Sequence, residues 1–257
     1  MAQTITALTN RPAWVDLSTS DAPAARDFYS KLFGWQLEVS EDPQYGGYAT
    51  AKLADSSVSG IGPRQSDDAP TAWSMYIGTD DVDALAKKVQ ANGGTVAAPP
   101  FDVGDQGRMA VFQDPTGAFF SAWQPAGMNQ FVSGRPNAFG WAELSARGVD
   151  RAIPFYETTF GWTHSTSPFG EGQEYTSFAI DGEDIAGAFE MDPKTPAEVP
   201  SYWTIYFLTD DVEATFRRAI ELGGREMVAP QDFPGGRFAI VSDPQGAAFG
   251  LMVVPQR

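Results

Sequence analysis

Pro12–Trp35 reads PAWVDLSTSDAPAARDFYSKLFGW and Phe139–Trp162 reads FGWAELSARGVDRAIPFYETTFGW. The second stretch repeats the first at a fixed spacing: Trp141 and Trp162 each stand 127 positions after Trp14 and Trp35. Each opens on a short alternating segment and runs into an amphipathic helix that ends in Phe-Gly-Trp. In the first copy, Val15 and Leu17 fall on one side of a strand, while Trp14, Asp16 and Ser18 fall on the other. Ser20 or Asp21 is placed to cap the helix, Pro23 suits its first turn, and Phe28, Tyr29, Leu32 and Phe33 form its apolar stripe up to Gly34. In the second copy, Pro154 inside the helix predicts a kink.

Working outward, three short strands are expected after the first helix, over Trp35–Val39, Tyr48–Leu53 and Val58–Ile61, which makes a βαβββ unit. The pattern then restarts. Trp73–Gly78 reads as a strand, Asp80 or Asp81 caps a helix with Val82, Leu85 and Val89 on one face, and Gly93-Gly94 ends it. Strands near Thr95–Ala98, Met109–Gln113 and Phe119–Gln124 complete a second unit, the last two joined by the turn Asp114-Pro115-Thr116-Gly117. The same program returns later: Tyr175 answers Tyr48, Thr209-Asp-Asp-Val answers Thr79-Asp-Asp-Val, and Asp243-Pro-Gln-Gly answers Asp114-Pro-Thr-Gly. The expected organisation is two domains, residues 1–126 and 139–257, joined by a Gly-, Pro- and Asn-rich linker at 127–138.

Composition narrows the function. Seventeen basic against 33 acidic residues give a net charge of −16, shared by both halves, with 8 against 15 in residues 1–126. An acidic field repels phosphate backbones, so nucleic acid is not an expected partner. The same field draws cationic ligands. No run is long and apolar enough for a membrane span and no secretory leader is recognisable, so a soluble cytoplasmic protein is expected. Cysteine is absent, which removes disulfides and thiolate chemistry.

Paired βαβββ units, the Phe-Tyr-(x3)-Phe-Gly-Trp helix end and the Asp-Pro-x-Gly turn before the last strand resemble the vicinal oxygen chelate superfamily of glyoxalases, extradiol dioxygenases and bleomycin-resistance proteins. Within it the chain is most similar to two-domain glyoxalase-like proteins of actinobacteria. The resemblance runs from about Pro12 to Pro255. It implies an α+β fold of two tandem domains, each a curved mixed sheet wrapped into a cup with helices outside. It also implies metal ligands on cup-facing strands, at positions that hold Trp14, Ser74 and Ser121 here, with a fourth near Gly60. In the second domain those positions hold Trp141, Thr204 and Gly250, with the fourth near Gly187 and Glu190 as the nearest carboxylate. None is a good ligand, and the single histidine, His164, is read as a surface or hydrogen-bonded residue. The expectation is therefore no metal and no cofactor in either domain.

What replaces the metal is read from the strand alternation within that frame. Trp14, Asp16, Ser74, Tyr76, Ser121 and Trp123 face the cup in domain 1, and Trp141, Glu143, Thr204, Tyr206 and Met252 face it in domain 2. Trp35, Trp73, Trp162 and Trp203 are read as packing residues. Arg108 and Arg237, each preceded by glycine, are suspected partners of the two acids. Three roles stay open. One is a binding protein that holds an aromatic or cationic organic molecule against the tryptophans. Another is a metal-independent lyase or isomerase with Asp16 or Glu143 as general base and Tyr76 or Tyr206 as proton donor. The third is a structural protein whose cups are closed. A monomer or homodimer is expected, with the pairing of the four units undecided.

Overall fold

The computed structural model describes residues 9–127, 131–169 and 172–254. In it the opening stretch folds as its alternation dictates: β1 (Pro12–Thr19) buries Ala13, Val15 and Leu17 and leaves Trp14, Asp16 and Ser18 partly exposed. Asp21 caps α1 (Ala22–Phe33) by accepting from the Ala24 amide at 3.0 Å. The helix stops at Gly34, whose φ of 71° is left-handed, the conformation glycine adopts without steric cost. β2 (Gln36–Val39), β3 (Ala49–Leu53) and β4 (Ser56–Pro63) complete the first unit. The second unit is β5 (Ala72–Gly78), α2 (Val82–Ala91), β6 (Thr95–Val103), β7 (Gly107–Gln113) and β8 (Phe119–Pro125).

Domain 2 repeats this with β9 (Phe139–Ala146), α3 (Val149–Phe160), β10 (Thr163–Pro168), β11 (Glu174–Ile180), β12 (Glu183–Glu190), β13 (Tyr202–Leu208), α4 (Val212–Glu221), β14 (Arg225–Phe233), β15 (Gly236–Ser242) and β16 (Ala248–Val253). The expected kink does not interrupt α3, which is one continuous helix through Pro154. Proline there removes only the N–H that would reach Asp150, an exposed first-turn residue whose carbonyl water can satisfy. β6 runs past the expected Ala98 through Pro99-Pro100 to Val103. As an edge strand with an irregular register at that point, it tolerates residues that cannot donate to a ladder.

Each domain forms one eight-stranded mixed sheet, ordered β2-β3-β4-β1-β5-β8-β7-β6 and β10-β11-β12-β9-β13-β16-β15-β14. The two units of a domain join through the antiparallel β1–β5 and β9–β13 pairs, so each sheet is built within its own domain. The helices cover one face. The other carries the part-exposed side chains of β1 and β9.

The covered faces of the two domains meet. Phe33 of α1 lies 5.2 Å from Phe207 and Phe28 lies 6.3 Å from Phe249, while Phe155 of α3 lies 6.1 Å from Phe120. One apolar core therefore runs through both domains. Trp35, Trp73, Trp162 and Trp203 are buried in it, as their places beside helices and at strand starts suggested. Phe131 and Val132, within the expected linker, are buried too, and Phe131 bridges Ser57. Residues 128–130 of that linker, and Pro255 at the far end of the resemblance, lie outside the described residues. No described helix is long and apolar enough to cross a membrane.

Candidate ligand-binding site

Strand register gathers the site. Asp16 on β1 is paired with Gly60 on β4 and Ser74 on β5, and Trp14 is paired with Tyr76, which in turn neighbours Ser121 on β8. Directly paired residues point to the same face of a sheet, so these side chains share the face that the helices leave uncovered. Domain 2 repeats the grid, with Glu143 beside Gly187 and Thr204, and Trp141 beside Tyr206, which in turn neighbours Gly250 on β16. Ser121, Thr204 and Met252 are buried, while Ser74 and Trp123 are partly exposed. Trp123 stands one step farther along β8 and its ring reaches Gly107, toward the end of the sheet.

A hydrogen-bonded chain links the grid. The Trp14 indole N–H donates to the Tyr48 hydroxyl at 2.9 Å, and the Tyr48 and Tyr76 hydroxyls both donate to the Asp16 carboxylate, at 3.4 and 3.0 Å. In domain 2, Trp141 donates to Tyr175 at 2.9 Å, and Tyr175 and Tyr206 donate to Glu143 at 2.9 and 2.8 Å. Asp16, Trp14 and Tyr76 are thus brought together as expected, as are Glu143, Trp141 and Tyr206. Tyr48 and Tyr175 complete the two chains and carried no site role in the sequence reading. Their offset of 127, shared with the tryptophans, marks them as repeated positions and does not by itself make them partners of the acids.

Electrostatics follow from the surroundings. Desolvation pushes the Asp16 carboxyl up to about 7, and the hydrogen bonds from Tyr76 and Tyr48 oppose that shift only in part. Desolvation also raises Glu143, against its bonds from Tyr206 and Tyr175. Tyr48 and Tyr76 are held well above the ordinary tyrosine range, first by burial and then by the neighbouring Asp16 charge, so they remain neutral donors.

The suspected arginine partners lie elsewhere. Arg108 binds Asp102 at 2.6 Å and Asp83 at 3.2 Å, and Arg237 binds Asp232 at 2.7 Å and Glu213. They brace the β6–β7 and β14–β15 hairpins to α2 and α4, where their strand positions place acids within reach. Glu190 is likewise engaged away from the cup, accepting the amides of Gly148 and Val149 at 2.8 and 2.9 Å at the start of α3. His164, on the exposed strand β10, has Nδ1 2.7 Å from a Glu157 carboxylate oxygen, in keeping with its hydrogen-bonded reading.

The positions that the resemblance assigns to metal ligands do not fit a divalent ion. A Cβ added at Gly60 would stand 1.7 Å from the Tyr48 hydroxyl, one at Gly187 would stand 1.9 Å from the Tyr175 hydroxyl, and one at Gly250 would stand 2.0 Å from the Tyr206 ring. Phenol rings fill the space that a side chain from those positions would need. Tyrosine hydroxyls that donate to one carboxylate, one of them backed by an indole N–H, offer hydrogens where a cation requires lone pairs. Among the described residues no group of three or more His, Cys, Asp or Glu is arranged to hold a metal ion.

Two sheets of paired βαβββ units with this site face define the class of protein. A family model described as the glyoxalase/bleomycin resistance protein/dioxygenase superfamily matches residues 11–121 and 138–251, and the chain belongs to that superfamily. Among individual proteins it is 40% identical over 247 residues to CFP32 of Mycobacterium tuberculosis, which is named as a glyoxylase, with 94% of each chain covered. It is 38% identical over 256 residues to the anthracycline biosynthesis protein DnrV of Streptomyces peucetius, covering 94% of this chain and 92% of that one. The fold is also shared with the Mn(II)-bound glyoxalase of Novosphingobium aromaticivorans, at a TM-score of 0.65 and 16% identity, covering 98% of this chain and 83% of that one. The 2,3-dioxygenase LapB of Pseudomonas sp. KL28 matches at a TM-score of 0.64 and 15% identity, with 98% and 96% covered.

Proposed function

We propose that the protein binds a small aromatic organic molecule without a metal, on the helix-free sheet face that carries Trp14 and Asp16. One observation supports this above the rest: the same Trp–Tyr–acid–Tyr chain is built on both sheets, around an acid with no cationic partner among the described residues. A carboxyl held near a pKa of 7 costs folding free energy and contributes no ion pair in return, which is the mark of a site kept for use. An aromatic wall beside a few convergent polar groups suits a small, flat ligand. Relatives named for the biosynthesis of anthracyclines, which are polycyclic aromatics, favour the same class. The acidic surface favours a ligand that also carries positive charge.

The test is a titration of intrinsic tryptophan fluorescence with fused-ring aromatic amines and phenols. Binding should quench the signal, the ligand should be recovered unchanged, and Trp14→Ala should weaken affinity by about tenfold or more. Unaltered affinity in that variant would remove the aromatic-wall reading. A second reading, a metal-independent lyase or isomerase, is favoured by the Asp16 pKa near 7 beside the neutral donor Tyr76, a pairing suited to general base and acid. Under it, Asp16→Asn abolishes turnover while binding survives.

A further inference from the structure

The two acids occupy matching positions, but their oxygens are used differently. Tyr175 donates to Oε2 of Glu143 and Tyr206 to Oε1, so both oxygens have a protein donor. Tyr48 and Tyr76 donate to the same oxygen of Asp16, Oδ2, and among the described residues Oδ1 has no hydrogen-bond partner. Aspartate is one methylene shorter and does not reach out between its two tyrosines as glutamate does. Asp16 as a whole is only partly buried in this face of the sheet. An ionised carboxylate oxygen that lacks a protein donor accepts a hydrogen bond from a donor that enters the cup.

A second, independent difference concerns space. In domain 2, Phe169 lies 5.7 Å from Tyr175 and Phe238 lies 6.3 Å from Tyr206, and the Tyr206 ring lies over Gly250. The matching positions in domain 1 hold Asp42, Met109 and Ser121. Among the described residues no aromatic ring packs on Tyr48 or Tyr76 there, and Trp14 meets the core residue Phe131 edge-on at 5.6 Å.

We infer that the domain 1 cup is the open ligand site and the domain 2 cup is closed by its own phenylalanines. Asp16 Oδ1 is the anchoring acceptor, and the ligand is an aromatic molecule that carries an N–H or O–H donor. The inference rests on the aromatic-binding reading above and narrows it to one domain and one ligand polarity. In domain 2, Phe169 and Phe238 take the room that the ligand ring takes in domain 1.

Each cup carries its own reporter, the indole N–H of Trp14 or Trp141, assigned from the spectra of Trp14→Phe and Trp141→Phe. The experiment is an NMR titration of the full chain at about pH 8, where Asp16 is mostly ionised, with a naphthol and with its methyl ether, which keeps the rings and lacks the donor. The naphthol should shift the Trp14 resonance and leave Trp141 in place, and the ether should bind about tenfold more weakly. Asp16→Asn presents an amide N–H₂ in the place of Oδ1, so the preference for the naphthol should vanish or reverse. Equal affinities of the two probes for the parent chain, or a comparable shift of Trp141, would overturn the inference and leave aromatic binding standing. No shift of either indole by either probe would overturn both.

Discussion

Asp16 gives the protein a pH signature that one substitution reads out. Its carboxyl titrates near 7 when folded against an ordinary 3.8, because desolvation outweighs the tyrosine bonds. Between those values the native chain keeps a proton that the unfolded chain has released, so stability falls as pH rises through the window and is flat above it. Asp16→Asn removes that slope. The variant should match the parent near pH 4 and gain on it by on the order of a few kcal/mol at pH 8, measured by urea unfolding across the range. Parallel pH curves would mean that Asp16 titrates near its ordinary value. Alternation puts Asp16 and Trp14 on the side of β1 opposite Val15 and Leu17, and β1 buries Val15 and Leu17. Tyr48 was not readable as their partner: it precedes β3, and only the folding of that strand onto β4 lays its ring across Gly60 and Gly62.

At the scale of elements, α1, α2 and α4 carry local aspartate caps, from Asp21, Asp81 and Asp211, each legible three residues ahead of the amide it satisfies. α3 differs. Its N-cap is Gly148, which has no side chain to offer, and Glu190 reaches the orphan amides from the end of β12. A carboxylate at a helix N-terminus also interacts favourably with the helix dipole. Glu190→Ala should therefore destabilise the protein by about 1 kcal/mol, seen as a lowered Tm, and Glu190→Gln should cost less because an amide oxygen still accepts. In sequence Glu190 stands out only as the nearest carboxylate to the Gly187 position. Three residues farther along the strand carry it beyond the site to the helix end.

At the scale of the molecule, two reciprocal contacts hold the domains together. Tyr29 of α1 donates to Asp243 in the β15–β16 turn at 3.1 Å, and Tyr156 of α3 donates to Asp114 in the β7–β8 turn at 2.9 Å. Trp73 and Trp203 donate to those same tyrosine hydroxyls, at 2.9 and 3.1 Å. Both aspartates are buried, at 1% and 3% exposure, so a lost donor is not replaced by water. Tyr29→Phe and Tyr156→Phe should each cost about 1–3 kcal/mol. Because one core spans both domains, calorimetry should show a single transition that moves down in either variant rather than splitting in two. A separate early transition for one domain would show that the shared core does not couple them.

By itself the sequence determined the duplication and the four βαβββ units. Those features depend on local periodicity, caps and turns, which neighbouring residues decide among themselves. The tertiary structure alone decided how the units pair, that the helix-covered faces meet in one core, and that Arg108, Arg237 and Glu190 work outside the cup. It also decided that both tyrosines of domain 1 donate to one oxygen of Asp16, while those of domain 2 divide between the two oxygens of Glu143. The reason is geometric: partners such as Trp14 and Tyr48, Gly148 and Glu190, or Tyr29 and Asp243 are far apart along the chain, and only strand register and packing bring them within hydrogen-bond reach. No periodicity in one stretch can record that.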